Sequence, residues 1–361
     1  MKPSRGWSVV AWGLLLFAVL EAGLFRTDLY RTFLAPESSA GSLEFVVEAE
    51  RTRPMANSRQ VLAVGDSRMA LRAWMANGLQ SGITFGNAGI AGATPRVWNY
   101  VVRAVDPRRD RYEALLFLVD DYDDEDMAED LRNRRYDAQS LAARIGLSDV
   151  AGLVLSYESW PERLEVLRNV LLKGFAYKRD VQDFLKNPRQ RLADIEFKKN
   201  QWDEVLRGYR GDDHTLEGLR IDWTTMTATY PDRLTERERK LIDDVLLRPA
   251  FKQTGRMGAY RREWWGRILA RYRGTRTRIL FCRVPRGPFA RPDSLVTKQS
   301  STIRDLASRP GVTLLDEHLL DYLERPEFFM DALHLNAEGC RRLTETLTRR
   351  VSEVLEPGSA L

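Results

Sequence analysis

Two short stretches far apart in the chain carry the residue types that acyl-transfer chemistry needs. In Val64-Gly65-Asp66-Ser67-Arg68 an apolar run closes on turn residues. That spacing predicts Ser67 at a strand-to-helix turn, its hydroxyl at the carboxyl edge of a sheet and its own N–H at a helix start. Near the C-terminus stands Asp331-Ala332-Leu333-His334-Leu335-Asn336. Three residues apart, Asp331 and His334 can face each other across one turn, so the carboxylate can accept a hydrogen bond from one ring nitrogen and hold the tautomer. The other nitrogen is then free to take a serine proton during attack and return it to the leaving group. Each stretch alone also has a plainer reading, Ser67 as a helix cap and Asp331 to His334 as a helix start with a surface histidine.

The elements that must position these residues are legible as five short apolar runs, Val61 to Val64, Ile83 to Phe85, Ala114 to Val119, Arg278 to Val284 and Val312 to Leu315. Runs of this length, closing on turn residues or charge, predict buried parallel strands. Helical stretches lie between them, most clearly Pro95 to Val105, with Thr94 as N-cap, Pro95 in the first turn and an apolar face of Val97, Trp98, Val101, Val102 and Val105. The rhythm implies a doubly wound α/β sheet, whose ligand crevice lies at the carboxyl ends of the strands. Residues 125–272 lose the strand rhythm and read as a helical insertion, leaving 59–124 and 273–361 as the α/β domain. After His334, Asn336 is placed to cap a helix whose apolar face is Cys340, Leu343, Leu347, Val351 and Val354.

The first 25 residues read as a membrane anchor. Trp7 to Phe25 carries Glu21 as its sole charge and as a helix would reach about 28 Å, near the thickness of a hydrocarbon core. A cleaved signal peptide and a buried core helix are the competing readings. Against the first, the nearest small-residue cleavage pattern, Ser38 to Ala40, lies about 15 residues further on; against the second, no polar stripe recurs. Lys2 and Arg5 ahead of the span predict a cytoplasmic N-terminus and an exported remainder. Residues 26–58, with Pro36, Ser38, Ser39, Gly41 and Ser42, read as a tether.

Composition narrows the chemistry. In 361 residues, 56 basic against 51 acidic side chains give a charge of +5, a balanced surface that argues against a nucleic-acid partner. Two cysteines, Cys282 and Cys340, exclude a disulfide framework and read as buried thiols; three histidines leave little room for a metal centre. Neither metal nor organic cofactor is expected. His318 reads as a helix-start residue and His214 as a loop residue.

Taken together, Gly65-Asp66-Ser67, Asn87-Ala88-Gly89-Ile90-Ala91-Gly92 and Asp331-Ala332-Leu333-His334 resemble, in order and strand placement, the first, second and fifth sequence blocks of the SGNH/GDSL hydrolase superfamily. The resemblance covers Val61 to Val119 and Arg278 to Leu355. It implies a three-layer α/β/α sandwich with a five-stranded parallel sheet, Ser67 as nucleophile, His334 as base, Asp331 as its orienting carboxylate, and the N–H groups of Ser67 and Gly92 as oxyanion-hole donors. One block departs. Where the family has Gly-x-Asn-Asp after the third strand, this chain has Asp120-Asp121-Tyr122-Asp123, and an ionised aspartate cannot donate to an oxyanion. Losing one such donor costs about 10² to 10³ in kcat, so Tyr122, Asn87 or Asn99 would have to substitute. Envelope-anchored relatives that modify polysaccharides, as in alginate acetylation and teichoic-acid D-alanylation, also stray from the standard blocks. The expected activity is therefore an ester hydrolase or O-acyltransferase acting on an acylated carbohydrate or small ester, with a membrane acyltransferase as a further partner. The alternatives are a non-catalytic envelope polysaccharide-binding protein with a degraded site, and a lipid esterase whose insertion forms an apolar lid (Trp160, Phe175, Phe184, Trp202).

Further substrate contacts are expected from Asp121, Tyr122, Arg68 and Asn87. Arg68 and Arg96 flank the crevice, but plain surface placement suits both. The acidic run after Val119 alternates like a calcium loop, yet Asp126 and Arg132 occupy positions that need Gly and Glu, so it reads as a solvated helix start.

Overall fold

Every side chain of Ala114–Val119 is buried, and the pleat sends alternate residues to opposite faces. Ala114, Leu116 and Leu118 pack with Val61, Ala63, Phe85, Leu280 and Cys282 against Leu343, Leu347, Val351 and Val354 of the C-terminal helix Ala337–Leu355. On the other face Phe117 meets Trp265 edge-on at 4.9 Å between ring centroids, and Trp265 in turn meets Trp98 at 5.5 Å and Phe281 at 4.8 Å. Trp98 belongs to helix Pro95–Val105 and Trp265 to helix Arg256–Tyr272. Helices thus cover both faces of the sheet, as buried parallel strands require.

The computed structural model describes residues 5–27, 29–55, 58–69, 82–119, 124, 131–208, 213–247, 256–290 and 301–356, without the side chains of 5–7, 202–208 and 256–257. Its strands are β1 (Arg59–Gly65), β2 (Ile83–Gly89), β3 (Ala114–Val119), β4 (Arg220–Asp222), β5 (Thr227–Thr229), β6 (Arg278–Arg283) and β7 (Val312–Leu314). Five of them form one parallel sheet in the order β2-β1-β3-β6-β7. All five apolar runs of the sequence are strands of this sheet. β4 and β5 pair antiparallel as a separate ribbon inside the stretch that reads from sequence as a helical insertion. Because β2 and β3 flank β1 on opposite sides, the connection leaving the sheet reverses there, and the crevice of such a sheet opens at the carboxyl ends of β1 and β3.

The chain divides into two compact units, Met1–Phe45 with Arg132–Asn200, and Val46–Leu131 with Gln201–Leu361. This division cuts the expected insertion near residue 200. Helix Arg256–Tyr272, inside the expected insertion, supplies the aromatic cover of the sheet.

Residues 39–52, in the stretch read as a tether, form a helix, Ser39–Thr52. Leu43, Val46, Val47 and Glu50 follow the i, i+3, i+4, i+7 spacing of a buried stripe, with Glu50 in an apolar position, and Glu50 is fully buried. In the α/β unit its carboxylate accepts from the Asn87 N–H at 2.9 Å, the Tyr112 hydroxyl at 3.3 Å and the Arg53 guanidinium at 3.0 Å. A Cβ at Gly86 would collide with it, which explains the glycine in the middle of β2. Glu50→Ala leaves the Asn87 N–H and the Tyr112 hydroxyl without their acceptor and the buried Arg53 guanidinium without its carboxylate partner. Breaking one partner of a buried pair costs about 3–5 kcal/mol, so the midpoint of chemical denaturation should fall sharply, whereas Glu48→Ala on the exposed side should leave it nearly unchanged.

Cys282 and Cys340 are buried free thiols, and burial pushes each up to about 12. Neither should react with a disulfide reagent at neutral pH in the native protein, and two thiols per chain should react after unfolding in guanidinium. Rapid native titration of either would contradict the burial.

Within the other unit, Tyr30, Leu34, Ala40, Ala142, Ala143 and Tyr177 make a small core, and Glu44 lies between Arg31 at 2.8 Å and Arg144 at 2.5 Å. Helix Arg5–Leu20 continues as a short π-helical turn, Glu21–Phe25. Ser8–Phe25 is long and apolar enough to cross a membrane, and most of its large side chains are exposed.

Candidate active site

Gly65 ends β1 and allows the turn that follows. A Cβ there would lie 2.8 Å from the Met69 Cβ, and the Gly65 carbonyl accepts from the Trp98 indole and from the Ile90 N–H, both at 3.1 Å. The strand end is therefore tied both to the helix covering it and to the loop after β2. Beyond it, Asp66 accepts from the Arg68 N–H at 2.8 Å, and its carbonyl accepts from the Met69 N–H at 3.2 Å. These bonds fold residues 66–69 into a tight turn that holds Ser67 half-buried at the sheet edge. The helix expected after it lies in 70–81, outside the described residues.

The opposing wall is a closed loop. Phe329 and Leu335 form an antiparallel bridge, the Met330 N–H donates to the His334 carbonyl at 2.9 Å, and the Asn336 N–H donates to the Phe328 carbonyl at 2.8 Å. Asn336 then caps the last helix by accepting from the Gly339 N–H at 3.0 Å. Gly339 has no room for a side chain, since a Cβ would sit 2.5 Å from the Phe328 carbonyl oxygen. Inside this loop Asp331 accepts from the backbone N–H groups of Leu333 and His334, each at 2.8 Å.

These two pieces of backbone bring together residues 267 positions apart. His334 Nε2 lies 2.9 Å from Ser67 Oγ, and His334 Nδ1 lies 2.8 Å from Asp331 Oδ2. Burial raises the Asp331 carboxyl, but the His334 ring and the two backbone N–H groups outweigh it and hold the group below its ordinary value. An ionised carboxylate only accepts, so the ring proton sits on Nδ1, Nε2 carries the lone pair, and the Ser67 hydroxyl donates to it. This is the arrangement in which a serine proton can leave as the oxygen attacks.

The sign of the Asp331 shift predicts a pH dependence of stability. With its folded value depressed, the unfolded chain takes up the proton more readily, so the Asp331 contribution is complete above the ordinary aspartate range near about 3.9 and is lost as pH falls through the folded value. Asp331→Asn should therefore lower the denaturation midpoint at pH 7 and make little difference near pH 2. An equal loss at both pH values would contradict the assignment.

The remaining expected residues divide. Gly92, with φ of +65°, lies three residues beyond β2, whose end pairs with that of β1 through Gly89 and Gly65, so Ser67 and Gly92 follow neighbouring strand ends. Asn87 sits lower in β2, in register with Ala63. Its side-chain oxygen accepts from the Gly89 N–H at 2.9 Å, and its buried amide nitrogen has no hydrogen-bond partner among the described residues. Arg68 is held by Asp66, with Nη2 to Oδ2 at 2.6 Å. Asp121 and Tyr122 lie outside the described residues.

Arg96 is a correction. It is fully buried rather than on the surface, its guanidinium over the rings of Tyr260 at 5.2 Å and Trp264 at 5.6 Å. The two aromatic faces make that burial tolerable for a cation. The Thr94 hydroxyl, expected to cap the helix, instead accepts from Tyr260 at 3.0 Å. Asp124 corrects the acidic run at one point. It is buried rather than solvated, beside Arg261 at 3.5 Å, and accepts from the Thr302 N–H and hydroxyl at 3.0 and 2.8 Å. Nothing in its local sequence separates it from its acidic neighbours. His318 is exposed on Asp321 at 2.6 Å, and His214 lies in a loop near Glu238 at 3.7 Å. Of the lid candidates, Trp160 and Phe175 are exposed, Phe184 packs against Phe33 with tilted rings 5.5 Å apart, and the Trp202 side chain is outside the described residues.

Scanned against protein-family models and searched against curated proteins, the chain finds no match in either comparison. Among the described residues no three His, Cys, Asp or Glu side chains converge as a metal site would need.

Proposed function

We propose that this protein is a serine esterase or O-acyltransferase of the SGNH/GDSL type, held at a membrane by Ser8–Phe25 and acting on an O-acyl group of envelope carbohydrate. The observation that carries the catalytic part is the chain of contacts from Ser67 Oγ through His334 to Asp331, at 2.9 and 2.8 Å. As His334 Nε2 removes its proton, Ser67 Oγ attacks the ester carbonyl carbon. The N–H groups of Ser67 and Gly92 receive the developing oxyanion. Collapse of the tetrahedral intermediate breaks the bond to the alkoxy oxygen, which leaves with the proton from His334 and so leaves an acyl group on Ser67. Water or a sugar hydroxyl, deprotonated by the same nitrogen, then takes the acyl group and restores the serine.

Asp331 keeps the correct tautomer throughout. Asp331→Asn should lower kcat by about 10⁴, the loss that follows when the orienting carboxylate becomes an amide, and a near-normal rate would remove Asp331 from the mechanism.

A binding protein with a degraded site is the second reading, and the argument for it is Asp120-Asp121-Tyr122-Asp123 where the family supplies an oxyanion-donating asparagine. The intact Ser67–His334 contact favours catalysis. The membrane reading rests on the length and apolarity of Ser8–Phe25, and the exported orientation on Lys2 and Arg5. Hydrolysis and transfer are separated by supplying an acetyl donor with and without candidate glycans. Faster loss of the acyl-enzyme with a glycan, and acetyl recovered on it, supports transfer; acetate release unaffected by every glycan supports hydrolysis.

A further inference from the structure

The unit that contains the apolar span exposes large apolar side chains beyond the span itself. On helix Trp160–Leu171, Trp160 and Leu164 are one turn apart and Leu171 follows at a spacing of seven, so the three share one face. Trp160 is 69% exposed and Leu164 60%, and Phe175, just beyond, is 51% exposed. Two arginines flank the stripe: Arg163 lies over the Trp160 ring at 5.3 Å and Arg168 over the Phe175 ring at 5.2 Å. Exposed apolar patches of this kind mark a surface that something covers.

The position of the stripe identifies the occupant. At the end of the span, the buried Glu21 accepts from the N–H groups of Lys173 at 2.5 Å and Gly174 at 2.8 Å. Arg26, the first residue after the span, donates to the Val170 carbonyl at 3.3 Å and to that of Leu171. A Cβ on Gly174 would touch the Phe25 ring at 3.0 Å, so the backbone there lies directly against the span's last aromatic. Residues 170–174 are thus fastened to the end of Ser8–Phe25. An 18-residue helix rises about 27 Å, close to the hydrocarbon thickness, so its last turn lies at the lipid–water boundary, and Leu171 and Phe175 lie there with it.

We propose that the Trp160, Leu164, Leu171 and Phe175 face rests on the leaflet from which the span emerges, its apolar groups among the upper acyl carbons and Arg168 among lipid phosphates. A Trp-, Leu- and Phe-bearing face edged by arginine has the composition of an interfacial helix. The inference rests on the reading that Ser8–Phe25 crosses the bilayer.

The test uses the full chain in vesicles of phosphatidylcholine and phosphatidylglycerol, with an environment-sensitive fluorophore on single introduced cysteines; Cys282 and Cys340 are buried and stay unlabelled. Leu16→Cys reports on the span, Leu164→Cys and Phe175→Cys on the stripe. Expected are loss of most of the Leu16-site signal to a nitroxide deep in the acyl chains, loss of most of the signal at both stripe sites to a nitroxide near the headgroups, and protection of all three from aqueous cobalt. Lipid quenching at the Leu16 site with cobalt quenching at the two stripe sites would overturn the inference and leave the anchor standing. Stripe sites shielded from both quenchers would mean a protein covers them, a second copy or another chain, and would also overturn it. Cobalt access at the Leu16 site would overturn the anchor reading, and this inference with it.

Discussion

Ser67→Ala is expected to abolish labelling by a serine-directed fluorophosphonate and to lower kcat on a model acetyl ester by about 10⁶, the scale of loss when the nucleophile of a triad is removed. Ser67 Oγ has a base 2.9 Å away whose other nitrogen is fixed by a carboxylate, and the turn of residues 66–69 holds the hydroxyl at the sheet edge. Removing the oxygen leaves no acyl acceptor, while the half-buried site accommodates the smaller side chain, so the denaturation midpoint should hardly move. Labelling that persists in a folded Ser67→Ala protein would sink the assignment of the nucleophile and favour the binding-protein reading.

His334→Ala should be as damaging, and the two losses should not add. Without the imidazole, the Ser67 hydroxyl keeps its proton at neutral pH, and the departing alkoxide has no acid to protonate it. Because the two residues act on one proton, the double variant Ser67→Ala/His334→Ala should be no slower than either single one. Steady-state rates of the three variants decide the point. Losses that multiply would mean that Ser67 and His334 act independently, and the 2.9 Å contact would then have no catalytic meaning.

If Ser67 and Gly92 supply the oxyanion donors, the N–H groups are part of the backbone turns after β1 and β2 and cannot be lost by substitution. The conformation of Gly92, with φ of +65°, is one that a side chain would strain, so Gly92 resists replacement for a reason independent of its hydrogen bond.

How much of this could be read without the fold differs residue by residue. The sheet strands were legible because a strand buried on both faces must be apolar throughout, and β3 is apolar at all six positions. Helix Pro95–Val105 was legible because one buried face imposes its period, and a proline suits its first turn. Ser67, Asp331 and His334 could be singled out because their chemistry is carried by residue type, and Asp331 and His334 meet within one loop. Glu50 was the opposite case. A carboxylate is expected in water, and only the N–H of Asn87, the Tyr112 hydroxyl and Arg53 make its burial favourable; those partners come from other elements or across a turn. Its apolar spacing with Leu43, Val46 and Val47 was the available signal. Arg96 was misread for the same reason, since the aromatic faces that accept it lie on a helix more than 160 residues away in sequence.

By itself, then, the sequence determined the apolar segments, the long apolar helix at the N-terminus and the candidate reacting groups, because burial pattern and functional groups are local properties. Tertiary structure alone decided that Ser67 and His334, 267 positions apart, share a hydrogen bond, that residues 132–200 belong with the span and 201–272 with the sheet, and which charges are buried. Each of these depends on which remote segments the chain topology brings into contact, and the cost of burying a charge is set by the partner it finds there.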